Sequence, residues 1–145
     1  MTALRQEAFQ LLEKTPEENL ATIIEFLKYR SKDATEKRRK ILIRFVDELK
    51  KIYDKNLKKV VLYGSYARGD FRDSSDIDIL VLLDFDEENL QKQKKELSNI
   101  TYDFNTENNI EISALAVSYS QYVSLKNFHP LYQNIENDGV ILYAN

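Results

Sequence analysis

With 145 residues, one histidine and no cysteine, the chain has room for one ordinary domain and excludes disulfides, thiolate metal sites and histidine-clustered zinc chemistry. Hydrophobic residues at 43% and charged residues at 31% describe a globular chain, and with no apolar run near the roughly 20 residues of a bilayer span and no signal peptide in MTALRQEAF, the expectation is a cytoplasmic protein away from membranes. The net charge of −3 conceals an asymmetry, with ten Lys/Arg against four Asp/Glu from Glu36 to Lys59 and twelve acids against four bases from Asp70 to Glu111.

At the N-terminus, Leu4, Ala8, Leu11 and Leu12 recur at helical spacing. Thr15-Pro16-Glu17-Glu18 then restarts the count, with Thr15 suited to an N-cap, Pro16 to the first helical position and Glu18 to a capping box. Leu20, Ile23, Ile24 and Leu27 form an apolar stripe, so Arg5 to Lys32 reads as two short amphipathic helices around a tight turn. A hairpin of that length cannot bury its stripe alone. It needs the rest of the chain, a second copy (a homo-oligomer through these helices) or a partner. Ser31-Lys32-Asp33-Ala34-Thr35 is the one plausible linker, dividing the chain into a helical hairpin (1–34) and a main domain (35–145). The next helix carries Ile41, Phe45, Leu49 and Ile52 on one face. Lys37, Arg38, Arg39, Lys40, Arg44, Lys50 and Lys51 lie on the other, either as a solvated face or as a docking strip for a partner. Aromatic interleaving is sparse there, which argues against direct nucleic-acid binding.

Val60 to Leu83, VVLYGSYARGDFRDSSDIDILVLL, is the stretch around which the chain is organised. Lys59 to Tyr63 reads as a strand stopped by Gly64-Ser65, and Asp76 to Leu83 resumes an extended pattern. Alternation puts Asp76 and Asp78 on one face with Leu80 and Leu82, and Ile77, Ile79, Val81 and Leu83 on the other. Two carboxylates at the head of a buried strand each raise the other's cost of ionising, and a hard divalent cation removes that penalty. A glycine after the strand permits close backbone approach, and Ser65 with the following amides can hold phosphate oxygens. Arg68 reaches either phosphate or a locking partner, Asp70 or Asp73, while Asp73-Ser74-Ser75 is turn chemistry leading into the second strand.

Beyond Asp84-Phe85-Asp86, an acidic helix start at Glu87-Glu88 leads a helix with Leu90, Leu97, Ile100 and Phe104 buried, ended by Asn108-Asn109. Ile110 to Val117 reads as a third strand, on which Glu111 and Ser113 share a face. Ser118 to Lys126 reads as a helix sending Tyr119 and Tyr122 inward. His129-Pro130 breaks it, and the lone histidine suits packing or capping. Val140-Ile141-Leu142-Tyr143 forms a terminal strand.

Gly64-Ser65, ten residues, then Asp76-Ile77-Asp78 resembles the signature of minimal nucleotidyltransferases in the DNA polymerase β superfamily. The tail His129-Pro130-Leu131-Tyr132-Gln133-Asn134-Ile135, with Gly139 after it, is similar to the end of such domains, so the resemblance covers roughly residues 35–145. It implies an α+β fold, in two layers: a small mixed sheet backed by helices, extended here by the N-terminal hairpin. It further implies Mg²⁺, two ions, on Asp76, Asp78 and a third carboxylate for which Glu111 stands at the matching place, either as a metal ligand or as the base that takes the acceptor's proton. Gly64, Ser65 and Arg68 would then bind the nucleotide. Freestanding members are typically antitoxins of HEPN-family toxins, inactivating the toxin by transferring AMP from ATP to a tyrosine hydroxyl. The hairpin is similar to helical segments with an L-P-E-E-type turn in antitoxin-like proteins. The rival readings are a non-catalytic module that neutralises a partner by contact and a nucleotidyltransferase for a small molecule of aminoglycoside type.

Overall fold

No glycine or proline lies between Glu17 and Tyr53, and nothing in that composition interrupts a helical hydrogen-bond ladder. In the computed structural model, which describes residues 2–71 and 75–145 and residues 29–34 by backbone alone, the stretch is one helix, α2 (Glu17–Tyr53). The break expected at Ser31–Thr35 is absent. A polar stretch without glycine or proline does not by itself end a helix, because residues such as Lys, Glu and Arg are good helix formers without apolar neighbours.

The chain divides into two compact units, residues 1–40 and 41–145. The first holds α1 (Ala3–Glu13), started by Thr2, whose hydroxyl accepts from the Arg5 amide at 3.3 Å. Thr15 does not cap α2 as expected. Its hydroxyl donates to the Leu11 carbonyl at 2.6 Å and so closes the end of α1. Leu20 and Ile23 are half-buried, whereas Ile24 and Leu27 are exposed, together with Leu4, Phe9, Leu11, Leu12 and Phe26.

In the second unit, a 3-10 turn at Asp54–Asn56 leads to β1 (Leu57–Tyr63), α3 (Ser65–Arg68), β2 (Ile77–Leu83), α4 (Glu87–Asn108), β3 (Ile112–Ser118), α5 (Tyr119–Leu125), α6 (Pro130–Asp138) and β4 (Val140–Ala144). The four strands form one mixed sheet in the order β3-β2-β1-β4, within the α+β class that the sequence implies. β1 runs antiparallel to β2 and β4, while β2 and β3 are parallel, which requires a long crossover that α4 supplies. Every residue of β2 except Asp78 is buried, consistent with an inner strand covered on both faces. Ile77, Ile79, Val81 and Leu83 pack with Phe45, Leu49 and Tyr53 of α2 and with Leu90, Leu97 and Phe104 of α4. Leu80 and Leu82 pack on the other face with Val61, Val117, Tyr122, Tyr132 and Ile135.

Some helix faces are rotated from expectation. The buried seam of α2 is Ile41, Leu42, Phe45, Val46, Leu49 and Tyr53, with Ile52 40% exposed at its edge. On α4, Thr101 is buried where Ile100 was expected, because its hydroxyl satisfies itself on the Leu97 carbonyl at 2.7 Å. Tyr119 is exposed and Tyr122 alone turns inward from α5. α4 begins at Asp86, whose carboxylate accepts from the Asn89 amide at 2.8 Å, and ends at Asn109 in the left-handed conformation. Asn105 clasps the start of β3, donating to the Ile112 carbonyl and accepting from the Ile112 amide, both at 2.9 Å. His129 precedes Pro130 at the first position of α6, and its ring stacks on Tyr132 at 4.2 Å. Among the described residues, no helix is long and apolar enough to cross a membrane.

Candidate active site

β1 stops at Tyr63 because Gly64 takes φ +75°, ψ −154°, a conformation open in practice only to glycine. The single helical turn α3 follows. The Arg68 amide donates back to the Gly64 carbonyl at 3.2 Å, and the Gly69 and Asp70 amides both donate to the Ser65 carbonyl, at 2.9 and 3.1 Å. Gly69, at φ +81°, closes the turn in the left-handed conformation. Tyr66 and Phe71 stack at 4.3 Å beside it. The turn expected at Asp73-Ser74-Ser75 begins outside the described residues. The chain re-enters at Ser75, and Asp76 stands one residue ahead of β2.

The sheet register then gathers the site around Asp78. In the antiparallel pair its partner is Tyr63, and in the parallel pair it is Ser113. Paired residues share a face, so Tyr63, Asp78 and Ser113 line up across three strands at one end of the sheet. Neither Tyr63 nor Ser113 stands among the residues that the sequence singles out as site residues. The signal for both was present: each lies on the alternate positions that carry the carboxylates, once the strand pairing is known. Glu111 lies one residue before β3, and its carbonyl accepts from the Ile77 amide at 2.8 Å. Extending the Ile77–Ile112 register by one residue puts Asp76 and Glu111 at matching places.

Burial pushes the Asp78 carboxyl above the ordinary aspartate range. Asp76 pushes it in the same direction, and the Arg68 guanidinium opposes them. Burial and the Asp78 charge likewise raise the Tyr63 phenol. Arg68 reaches Asp70, one of its two expected partners, at 3.3 Å in an exposed ion pair of little energetic worth. Asp78 is therefore a desolvated carboxylate facing a second carboxylate, with one cation nearby that is itself shared. A hard divalent cation fits that donor set, since it takes oxygen ligands and removes the repulsion. Asp76 and Asp78 form the paired part of the site. Among the described residues no three carboxylate or imidazole side chains are drawn together closely enough to share one ion, so Glu111 stands at the same end of the sheet without joining the pair in a cluster.

The nucleotidyltransferase domain family matches residues 42–142, and hence β1, β2 and β3, the first part of β4, and the site. "Putative protein adenylyltransferase MJ1305" from Methanocaldococcus jannaschii is 34% identical over 107 residues, covering 71% of this chain and 69% of its own. "Putative protein adenylyltransferase MJ0604" from the same organism is 51% identical over 47 residues, 32% of this chain. The match spans about half of that relative, 47% of its length. Among solved structures, a "putative nucleotidyltransferase" from Sulfolobus solfataricus shares the fold with a TM-score of 0.50 at 24% identity, over 77% of this chain and 86% of that one.

Proposed function

Because the chain belongs to the nucleotidyltransferase domain family, and with it to the enzymes that transfer nucleotidyl groups, we propose that it moves AMP from ATP to a hydroxyl on a protein. The observation that carries this reading is the half-buried Asp78 carboxylate, paired with Asp76 and packed against the Gly64 backbone at one end of the sheet. The names borne by the relatives from M. jannaschii support a protein acceptor.

In this reading Asp76 and Asp78 hold Mg²⁺, with Glu111 as a further carboxylate at the strand start. Bound there, the ion supplies charge neutralisation for the triphosphate and makes the acceptor hydroxyl more acidic. Gly64, having no side chain, lets the triphosphate approach the backbone, Ser65 offers a hydroxyl, and Arg68 extends a guanidinium to the phosphates. The acceptor oxygen forms a bond to the α-phosphorus as the bond to the bridging oxygen of the β-phosphate breaks. Pyrophosphate leaves, and Glu111 takes the acceptor's proton. Placing the two reactants accounts for most of such a rate, so few reacting side chains are needed.

The finer assignment is an antitoxin that adds AMP to a tyrosine hydroxyl of a HEPN-family toxin, supported by the likeness of the Gly64–Asp78 signature and of the His129–Gly139 tail to that group. Incubation with ATP, Mg²⁺ and the product of the neighbouring reading frame, followed by intact-mass spectrometry, tests both levels. One or more AMP adducts on that protein, absent with Asp76→Asn, is the expected result. Adducts on RNA or on a small molecule alone would remove the protein acceptor, and neutralisation without any adduct would remove the transfer.

A further inference from the structure

Between α2 and α4 of the second unit lies an open groove of about 730 Å³. Its floor is apolar, formed by Ile52, Ile100 and Phe104, and its rim carries four carboxylates: Asp47 and Glu48 from α2, Asp103 and Glu107 from α4. Two cations also line it, so the carboxylates outnumber the cations four to two. Arg44 donates to Asn108 Oδ1 at 2.7 Å, and Lys51 lies 3.8 Å from Glu48. Asp47, Asp103 and Glu107 thus face the groove with no ion pair among the described residues.

That combination selects its occupant. Unneutralised carboxylates repel nucleic acid and anionic lipid surfaces. An open trough between two helices, with apolar residues along its floor, matches the way a third helix lays an apolar stripe between two others. The complementary ligand is a helix with apolar residues on one side and Lys or Arg flanking them. A second copy of the chain supplies a poor match. Its basic run Lys37 to Lys40 has one exposed apolar neighbour, Ile43; the exposed Ile24, Phe26 and Leu27 are flanked by Glu17, Glu18 and Glu25 against Lys28, and the exposed Leu4, Phe9, Leu11 and Leu12 of α1 by Glu7 and Glu13 against Arg5. The groove's lining ends on α4 at Asn108, three positions before Glu111 in the chain.

We propose that this groove docks a basic amphipathic helix of the protein that accepts the nucleotidyl group, an assignment that rests on the reading given under Proposed function. The probe is a fluorescein-labelled amphipathic peptide of leucine and lysine, about five helical turns long, with a leucine–glutamate twin as its counterpart, titrated against the full chain. The lysine peptide binds and its twin does not. The double variant Asp103→Lys, Glu107→Lys weakens binding at least tenfold. Glu87→Lys, Glu88→Lys, the same charge change at the other end of α4, leaves it unchanged, as does Asp76→Asn with Asp78→Asn. Undiminished peptide binding in the Asp103/Glu107 variant overturns the proposal, as does equal weakening by the Glu87/Glu88 variant. A dimer of the wild-type chain in sedimentation that the Asp103/Glu107 variant dissociates overturns it in favour of a second copy. With the acceptor protein present, the Asp103/Glu107 variant loses AMP transfer while an ATP analogue still binds. Peptide binding reads the groove and transfer reads the carboxylates, so AMP transfer that persists in Asp76→Asn with Asp78→Asn defeats the functional reading separately.

Discussion

A β-carbon placed on Gly64 would lie 2.5 Å from Oδ2 of Asp78, so the carboxylate fills the space that any other residue at position 64 would take. Gly64→Ala therefore meets two obstacles. The backbone at φ +75°, ψ −154° disfavours an L side chain by about 1–3 kcal/mol, and Asp78 must swing away to admit the methyl group. The variant should lose roughly 2 kcal/mol in urea unfolding and should lose affinity for a non-hydrolysable ATP analogue in calorimetric titration. Unchanged affinity in a folded Gly64→Ala protein would detach this turn from the site.

The pair Asp76 and Asp78 makes an opposite prediction for stability. Asp78 has a folded-state pKa above the ordinary aspartate value of 3.8, so between the two values the folded chain binds more proton than the unfolded one. Stability must then fall as pH rises from about 3.8 through the raised value, and stay lower above it. Asp78→Asn removes that decline. In the absence of divalent ions its melting temperature should match or exceed the parent's at neutral pH, and the gap should close toward acid. Magnesium should raise the melting temperature of the parent and leave the variant unmoved. A variant that simply unfolds would make Asp78 a structural residue.

Much of this site is written locally. The alternation of Asp76, Asp78, Leu80 and Leu82 needs nothing beyond the two-residue period of a strand, and the structure puts Leu80 and Leu82 on the face of Tyr63, the strand partner of Asp78, as that period requires. Gly64 likewise announces a strand that must stop. What escapes local reading is whatever depends on pairing. Tyr63 and Ser113 become neighbours of Asp78 only through the register of two ladders, one antiparallel and one parallel. The helix α2 escapes for another reason. Its middle is polar enough to resemble a linker, yet only glycine or proline would have broken it. Thr101 shows the same limit at the scale of one side chain. An apolar stripe predicts Ile100 inward, but a threonine that bonds to its own helix is admitted instead.

The first unit leads to a third prediction. Among the described residues, none of either buried cluster precedes Ile41, and every carboxylate and phosphate-facing group of the proposed site lies beyond it. Removing residues 1–40 should leave a cooperative unfolding transition and unaltered ATP-analogue affinity. Self-association, if the wild-type chain shows any by sedimentation, should disappear with the exposed Leu4, Phe9, Phe26 and Leu27. Loss of nucleotide affinity in a truncated chain with intact near-ultraviolet dichroism would tie the N-terminal helices to the site itself.

Two phenols supply the last prediction: burial is the leading cause that raises both, but only one has a hydrogen-bond partner. The Tyr53 hydroxyl is buried with no hydrogen-bond partner, and burial, with Glu96 adding to it, pushes the phenol from 10.0 to about 12. The Tyr122 hydroxyl donates to Glu136 at 2.9 Å, and its raised pKa owes to burial first and then to that bond and charge. Removing an unpartnered hydroxyl relieves a desolvation cost, whereas removing a donating one leaves an acceptor short, each on the order of 1 kcal/mol. Tyr53→Phe should thus stabilise the chain at neutral pH and Tyr122→Phe should destabilise it, by similar amounts in urea unfolding. Tyr53 also carries a pH signature. Between 10.0 and about 12 the folded chain keeps a proton that the unfolded chain has lost, so stability falls across that interval. The stabilising effect of Tyr53→Phe should therefore grow from pH 10 upward and level off above about 12, a trend that a phenol titrating at its ordinary value in the folded chain would not produce.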